Sequence, residues 1–165
     1  MASGVFCHER ANVERFFSLQ IPDTFERMSP EELQELSHGS GDPYQWGVRD
    51  WERHVMIFAL WKQYPSLIAW MSDPKAIAKK NEQLTHKVYG GYDYRLIGFS
   101  SLQAGDEKAE GYSFCYNMKG IKQVIQNYLI KDGKTVYAIT CAGREENMAA
   151  DQTMFREVME SLQLL

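Results

Sequence analysis

The chain has 165 residues, a length typical of one compact domain. Hydrophobic residues make up 44% of it and charged residues 24%, which excludes a disordered or fibrous protein. Eighteen Lys and Arg against 22 Asp and Glu give a net charge of −4, which argues against a protein that mainly grips a phosphate backbone. We therefore expect one soluble domain over residues 1–165 that binds no nucleic acid, and we leave open that residues 1–15 form a flexible N-terminal extension.

Cysteine usage and the N-terminal residues bear on the compartment. Cys7, Cys115 and Cys141 are an odd number at wide spacing, which suits neither a disulfide framework nor CxxC metal knuckles. Charged residues interrupt residues 1–15, so these do not resemble a secretory signal, and no apolar run approaches the ~20 residues of a membrane helix. The expected location is the cytoplasm, away from a membrane. Whether a targeting segment was removed stays open.

The first part of the chain predicts a strand and a short helix. Residues 16–21 alternate apolar with small or polar side chains, and Pro22 ends this strand. Ser29-Pro30-Glu31-Glu32 has the composition of a capping box with proline at the first helical position, because the serine hydroxyl can accept from the third amide while the glutamate reaches back. The helix that follows is expected to stop at Gly39.

Two strands and the main helical region are expected next. Residues 44–48 and 55–61 have strand composition and are joined by the charged turn 49–53. The second strand is apolar on both pleat faces, which requires cover on both sides, so we place it centrally in the sheet. Apolar residues then recur at helical spacing between residues 64 and 87, in one piece or in two with the second starting at Asp73-Pro74.

From residue 94 onward the apolar period becomes two. The predicted strands span residues 94–102, 111–118, 121–130 and 135–142. Short turns between them predict an antiparallel meander, and Asp132-Gly133 suits a type I′ turn, in which both central residues have positive φ. The chain is expected to close with a helix whose apolar face comprises Met148, Phe155, Val158, Met159 and Leu162. These elements indicate an α+β fold.

The pattern of the second half resembles a known family. A strand with Gly111-Tyr112-Ser113-Phe114 is followed by a long strand, the turn Asp132-Gly133-Lys134 and the strand Val136-Tyr137-Ala138-Ile139-Thr140, and a helix then ends at Ser161-Leu162. With the opening Phe17-Ser18-Leu19-Gln20-Ile21-Pro22, it resembles the PsbP-like superfamily. That superfamily includes extrinsic photosystem proteins, a Ran-binding nuclear import factor and small bacterial proteins.

The resemblance implies a fold and a kind of role. The implied fold is an α/β/α sandwich, with an antiparallel sheet of about six to seven strands flanked by helices. Known members act as binding, assembly or chaperone-like proteins rather than as enzymes, so a noncatalytic role is implied. No motif of a family ligand contact can be matched to a position of this chain, and no functional residue is carried over.

No catalytic, metal or cofactor motif is recognisable. The four histidines, His8, His38, His54 and His86, lie far apart in the sequence. None of them has the HExxH or HxH spacing of a metal site. Cys115 and Cys141 fall within predicted strands, where buried thiols act as small hydrophobic groups. Gly90-Gly91 follows a helix and precedes a strand, the reverse of a dinucleotide loop. We therefore predict no catalytic residue, no metal site and no cofactor.

Two surface segments are the candidate binding sites. Around residues 49–53 two arginines flank a tryptophan, a composition typical of protein interfaces. Around residues 89–95 three tyrosines and an arginine surround a glycine pair, which suits a cleft or a partner groove. The candidate residues are Arg49, Trp51, Arg53, Tyr89, Tyr92, Tyr94 and Arg95. The structural alternative is that Trp51 folds back over its own sheet and that the tyrosines pack a helix-to-strand corner.

Three hypotheses of function follow. The leading one is a noncatalytic binding protein, an adaptor or chaperone-like factor that acts on another protein through protein–protein contacts. The second is a small-ligand binder or an enzyme that uses a cleft between the sheet and the helical region 64–87. The third is a structural subunit of a larger assembly. The sequence does not indicate an oligomeric state.

Overall fold

The computed structural model describes residues 8–37, 43–65 and 73–165. Within these ranges the chain forms three α-helices and ten β-strands. The helices are α1 (Pro30–Leu36), α2 (Pro74–Tyr89) and α3 (Met148–Glu160), and the 3₁₀ turn Glu145–Asn147 precedes α3. The strands are β1 (His8–Val13), β2 (Phe17–Pro22), β3 (Glu26–Arg27), β4 (Trp46–Asp50), β5 (Val55–Gln63), β6 (Arg95–Ala104), β7 (Glu107–Met118), β8 (Ile121–Asp132), β9 (Thr135–Arg144) and β10 (Gln163–Leu164).

The strands form two antiparallel sheets. The larger sheet has the order β3-β4-β5-β9-β8-β7-β6, and the smaller one has the order β1-β2-β10. Successive hairpins join β6, β7, β8 and β9, which confirms the predicted meander. β9 then pairs with β5, so β5 is an interior strand, as its apolar residues on both faces predict.

The larger sheet is the middle layer of a sandwich. α1 and α2 cover one face, where Phe58 and Phe114 lie in one hydrophobic core. α3 and the smaller sheet cover the other face, where Ile57 packs in a second core with Phe17 and Phe155. The predicted α+β class and the seven-stranded antiparallel sheet flanked by helices are confirmed. The small sheet within one outer layer is an additional element.

The capping box at the start of α1 forms as predicted. The Ser29 hydroxyl accepts from the Glu32 amide at 3.2 Å, and the Glu32 carboxylate accepts from the Ser29 amide at 2.7 Å. Two of the N–H groups that a helix start leaves without partners are thereby satisfied. α1 ends at Leu36 with Ser37 as its C-cap, whereas Gly39, the predicted stop, lies outside the described residues.

α2 confirms the second piece of the predicted helical region 64–87. Asp73 caps the helix by accepting from the Lys75 amide at 3.1 Å, and Pro74 occupies the first helical position. β5 continues to Gln63 at the N-terminal side of this region. Any first helical piece falls on residues 66–72, which lie outside the described ranges.

The turn between β8 and β9 differs from the prediction. Asp132 is the last residue of β8 and pairs with Thr135, so Gly133 and Lys134 are the central residues. Of these, Gly133 alone has a positive φ (58°), which is the pattern of a type II′ turn and not of type I′. The turn after β7 has positive φ at both Lys119 (53°) and Gly120 (82°), so the type I′ pattern occurs there instead.

Three strands were not predicted. β1 pairs along its whole length with β2, so residues 8–13 of the stretch 1–15, which was considered as a flexible extension, form a strand, while residues 1–7 lie outside the described residues. β3 pairs with β4, and β10 follows the last helix and pairs with β2. The chain therefore ends in a strand after α3 and not in the helix itself. These strands are short or mostly polar, so they show no alternation of apolar and polar residues that would predict a strand.

Gly105 fixes the turn between β6 and β7 against the end of α3. Its φ is 58°, its amide donates to the Glu160 carbonyl at 3.2 Å, and an added Cβ would collide with the Leu162 carbonyl oxygen. Gly105→Ala is therefore expected to lower the free energy of unfolding by about 2–3 kcal/mol, measured by urea denaturation. The matched control is Gly133→Ala, because Gly133 has the same φ but open space around it, and about 1 kcal/mol is expected there. Equal losses in the two variants would contradict the collision as the cause.

Candidate functional site

The two predicted segments lie at the same end of the larger sheet but on separate strands. The turn at residues 51–54 joins β4 to β5, whose start pairs with the end of β9. Residues 89–95 connect α2 to β6, whose start pairs with the end of β7. β9, β8 and β7 lie between β5 and β6, so four strand spacings of about 4.8 Å, roughly 19 Å, separate them. We call residues 49–54 the tryptophan turn and residues 89–95 the aromatic corner.

Trp51 of the tryptophan turn is on the surface. It is 55% exposed, so about half of it is open to solvent. The Arg49 guanidinium carbon lies 4.8 Å from the centroid of the indole ring, within cation–π distance. Arg49 itself is the penultimate residue of β4, and the sequence assigned it to the turn because charge and turn composition run together there.

Two carboxylates hold Arg49 in place. Its Nε lies 2.7 Å from Glu32 and its Nη1 lies 2.9 Å from Glu26, and its side chain is mostly buried. The Ser29 amide and the Arg49 guanidinium donate hydrogen bonds that lower the pKa of Glu32, and the same ion pairs raise the pKa of Arg49. The charge of Arg49 is therefore balanced locally, and the ring of Trp51 rests on a fixed support.

A buried ion pair lies beneath the tryptophan turn. Arg53 Nη2 lies 3.0 Å from Oδ1 of Asp151, a buried residue in the first turn of α3. The backbone N–H of Arg53 donates to Asp50, which is also buried, at 3.2 Å. Burial raises the pKa of Asp151, and Arg53 offsets part of that shift. Arg53 thus ties the tryptophan turn to α3, and its role is structural as well as electrostatic.

The aromatic corner buries two of its three tyrosines in part. The Tyr89 ring lies 5.6 Å from Phe114 and 4.5 Å from Tyr116, centroid to centroid. The Tyr94 ring lies 5.2 Å from Phe114 and stacks on His86 at 4.6 Å. Burial raises the pKa of both tyrosines. The packing of tyrosines at a helix-to-strand corner, which was the structural alternative, is thus what Tyr89 and Tyr94 do.

Tyr92 and Arg95 are the exposed residues of the aromatic corner. Tyr92 is 43% exposed, while its carbonyl accepts from the Asn117 amide at 2.7 Å and so anchors the turn to β7. Arg95 is exposed, and its Nε donates to the Cys115 sulfur at 3.3 Å. Of the seven candidate residues, Trp51, Tyr92 and Arg95 are therefore the ones that are exposed.

A polar network lies between α2 and the sheet. The Tyr112 hydroxyl lies 2.8 Å from the Thr85 hydroxyl and accepts from the Asn127 amide at 3.0 Å. The Thr140 hydroxyl in turn donates to Asn127 at 3.1 Å. This polar network and the packed rings lie in the region where a ligand cleft was hypothesised, as far as the structure describes it.

A shallow groove lies on the other side of the sheet. It has a volume of about 450 Å³ and is bounded by the smaller sheet, the end of α3 and the turn between β6 and β7. Arg10 crosses it and donates to the Ser18 hydroxyl at 2.7 Å and to the Ser161 carbonyl at 3.3 Å. The hydrogen-bond donors that this arginine offers are thus partly used within the protein.

The outer strand of the larger sheet carries exposed apolar side chains that the sequence did not single out. Ile97 is 56% and Phe99 is 47% exposed, and Leu96 is exposed beside them. All three belong to β6, the last strand in the sheet order. The strand itself was predicted, but its position at the edge depends on the order of the strands.

Metal ligands, free cysteines and membrane-spanning helices were sought among the residues that the structure describes. Across residues 8–37, 43–65 and 73–165, no three His, Cys, Asp or Glu side chains cluster as metal ligands would. Cys115 and Cys141 are free and buried, and burial raises the pKa of the Cys141 thiol. In the same part of the chain, no helix has the length and apolar character to cross a membrane.

Similarity to known proteins is structural. No protein-family model and no curated protein matches the sequence. The solution structure of cyanobacterial PsbP (CyanoP) from Synechocystis sp. PCC 6803 matches with a TM-score of 0.70 at 10% identity, over 100% of this chain and 96% of that chain. The chain has the PsbP-like fold.

Two further structures share the PsbP-like fold with this chain. LpqN of Mycobacterium tuberculosis, a protein involved in cell envelope biogenesis, matches with a TM-score of 0.61 at 13% identity, over 96% of this chain and 90% of that chain. A variant of the protein Mog1 matches with a TM-score of 0.60 at 11% identity, over 96% of both chains. The predicted fold resemblance is thereby confirmed, while identities this low leave the functional residues of the chain to be argued from its own surface.

Proposed function

We propose that the chain is a single-domain, noncatalytic binding protein that acts on another protein, as an adaptor or chaperone-like factor, through the tryptophan turn. The observation that carries this proposal is the exposed Trp51 ring held on Arg49. An exposed tryptophan is uncommon on a monomer surface and common at the centre of an interface. Here the ring is presented outward and the residue beneath it is fixed by Glu26 and Glu32.

The fixed geometry favours binding because little side-chain freedom remains to be lost. An exposed cation–π contact contributes about 0.5–1 kcal/mol toward holding the ring. If a partner covers the exposed half of the ring, about 100 Å² of apolar surface leaves water, which stabilises the complex by about 2.5 kcal/mol. This corresponds to a contribution of roughly sixtyfold to affinity.

Other features support a noncatalytic role in the cytoplasm. The PsbP-like fold is shared with proteins that, by the family resemblance, act in binding and assembly. The region between α2 and the sheet, where an enzyme or ligand cleft was considered, contains packed rings. Cys115 and Cys141 are free thiols, which suits a reducing compartment. The net charge of −4 favours a protein partner over nucleic acid.

Photo-crosslinking in the source cell tests the proposal. A crosslinking amino acid placed at the exposed Glu52, next to Trp51, is expected to give an adduct with a discrete protein. Trp51→Ala in the same chain is expected to reduce that adduct at least tenfold. The matched control position is the exposed Lys134, in the turn at the opposite end of the sheet, which should not give the adduct.

Two outcomes would contradict the tryptophan turn as the partner surface. One is an identical set of adducts from positions 52 and 134. The other is an adduct from position 52 that Trp51→Ala leaves unchanged while Ile121→Ala, at another exposed apolar residue, reduces it. An adduct that resists dilution and copurifies at fixed stoichiometry would instead identify the chain as a structural subunit of a larger assembly.

A further inference from the structure

The two edges of the larger sheet are built differently. One edge is β3, which has only two residues, Glu26 and Arg27, both charged and exposed. Short charged edge strands of this kind prevent further pairing. The other edge is β6, which has ten residues and, among the residues that the structure describes, pairs only with β7. The second edge lacks the protection that the first one has.

β6 carries exposed apolar side chains that a partner strand would partly remove from water. No charged residue occurs from position 96 to position 105, and the apolar side chains of Leu96, Ile97 and Phe99 are exposed there. A β-bulge at Ile97 interrupts the register near the start of the strand. The following stretch, 98–104, pairs with β7 in unbroken register, so its outer edge offers a regular row of backbone donors and acceptors.

Opposite charges stand at the two ends of this uncharged stretch. Arg95 begins β6, and Asp106 follows it in the turn to β7, and both side chains are exposed. The Arg95 side chain is positioned by the Cys115 sulfur, and the turn that holds Asp106 is positioned by Gly105 against α3. A strand that is positive at its start and negative at its end is complementary to an antiparallel copy of itself.

We propose that two copies of the chain pair antiparallel through β6, about a twofold axis near Ser100 and Ser101, which joins their larger sheets into one continuous sheet. In this arrangement Arg95 of one copy lies within about two residues of Asp106 of the other, roughly 7 Å along the strand, which an arginine side chain spans. The exposed apolar residues of β6 become flanked by the second copy. Each contact occurs twice, as a twofold interface requires.

Sedimentation equilibrium tests the dimer. The wild type is expected to approach twice the 19.1 kDa monomer mass as its concentration rises. Ile97→Lys, which places a charge on the β6 edge, is expected to weaken association at least tenfold. Ile121→Lys is the matched control, because Ile121 is also an exposed isoleucine but is the first residue of the interior strand β8, and it should leave the dimer unchanged.

Charge reversal tests the antiparallel register. Arg95→Glu places two carboxylates at each contact, and Asp106→Arg places two guanidinium groups there. Each variant alone is therefore expected to raise the dissociation constant of the dimer by at least about tenfold. An equimolar mixture of the two variants restores opposite charges at both contacts of a mixed dimer. The mixture is therefore expected to associate about as well as the wild type, a recovery that misfolded variants would not show.

Three results would overturn the self-pairing. They are a wild type that stays monomeric at several hundred micromolar, a dimer that withstands Ile97→Lys, and variants whose mixture does not associate. If β6 receives a strand of a different protein, the first of these results is the one observed. Trp51→Ala is expected to leave the dimer intact, so a failure here is distinguishable from a failure of the proposed function.

Discussion

Arg53→Ala is expected to lower the free energy of unfolding by about 3 kcal/mol at pH 8, because it leaves a buried carboxylate without its cation. The Asp151 side chain is only 3% exposed, and its Oδ1 lies 3.0 Å from the Arg53 guanidinium. Arg53 is itself a quarter exposed, so solvent screens the pair and keeps the cost at the lower end of the range for buried ion pairs. Urea denaturation at fixed pH gives the value.

The deficit of this variant is expected to depend on pH. Burial already raises the pKa of Asp151 above its unfolded value of 3.8, and Arg53 is the group that counteracts the shift. Without Arg53 the folded-state pKa rises further. A carboxyl with a raised folded pKa binds its proton more tightly in the folded state, so stability falls as pH rises through that pKa. The deficit should therefore shrink when the pH is lowered from 8 to 5.

The double variant Arg53→Ala/Asp151→Asn provides the control for this effect. The asparagine keeps the shape of the side chain but carries no ionisable group, so its stability relative to Asp151→Asn should be nearly independent of pH between 5 and 8. A deficit of Arg53→Ala that is the same at pH 5 and pH 8 would contradict the charge of Asp151 as its cause. It would point to lost packing of the arginine stem instead.

Phe114→Ala, in β7 beneath the aromatic corner, is expected to lower the free energy of unfolding by about 3–5 kcal/mol. The Phe114 side chain is 3% exposed and lies between α2 and the sheet. Its ring contacts those of Tyr89, Tyr94 and Tyr112 at centroid distances of 5.2–6.0 Å. Its removal leaves a cavity bordered by rings that are themselves anchored and cannot close over it.

Urea denaturation of Phe114→Ala beside Tyr92→Ala separates packing from surface effects. Tyr92 belongs to the aromatic corner, which Phe114 supports, but it is 43% exposed, so its truncation should lower the free energy of unfolding by less than about 1 kcal/mol. Phe114→Leu, which keeps most of the volume, should fall between the two. Similar losses in the Phe114→Ala and Tyr92→Ala variants would show that the corner is not the tightly packed core described above.

The elements that the sequence predicts are those with strong local signals. The capping box at Ser29 and the Asp73-Pro74 start each place a hydrogen-bonding side chain within three residues of its partner. The meander from β6 to β9 has apolar residues at period two and turns of two residues. In these cases the interactions that decide the structure lie close together in the sequence.

Of the three strands that the sequence does not predict, β3 and β10 are only two residues long, and β1 is mostly polar. β10 has two residues and exists because it pairs with Ser18 and Phe17 at the other end of the chain. β1 carries charged and polar residues and is fixed by its register on β2. Pairings of this kind have no local periodicity, so a single sequence carries almost no signal for them.

At the candidate surfaces, too, the sequence predicts features that depend on local composition and misses those that depend on the tertiary fold. The composition around Trp51 is typical of an interface residue; the residue is exposed, and its role in an interface stays a prediction. Tyr89 and Tyr94 have the same composition signal as Tyr92, yet they pack against Phe114, because that depends on where α2 crosses the sheet. The exposed edge at β6 could not be predicted, since the position of a strand in the sheet is set by the order of all the strands.

The pairing of β5 with β9 and of β2 with β10 has a consequence for synthesis on the ribosome. The N-terminal strands emerge first and can pair with their early neighbours, β2 with β1 and β5 with β4. Their other partners are among the last residues to be made, with residue 17 pairing with residue 164. One edge of the apolar strand β5 therefore stays open until β9 is translated. High contact order of this kind slows folding and lengthens exposure to aggregation, so the nascent N-terminal half is the part of the chain that most needs a holdase.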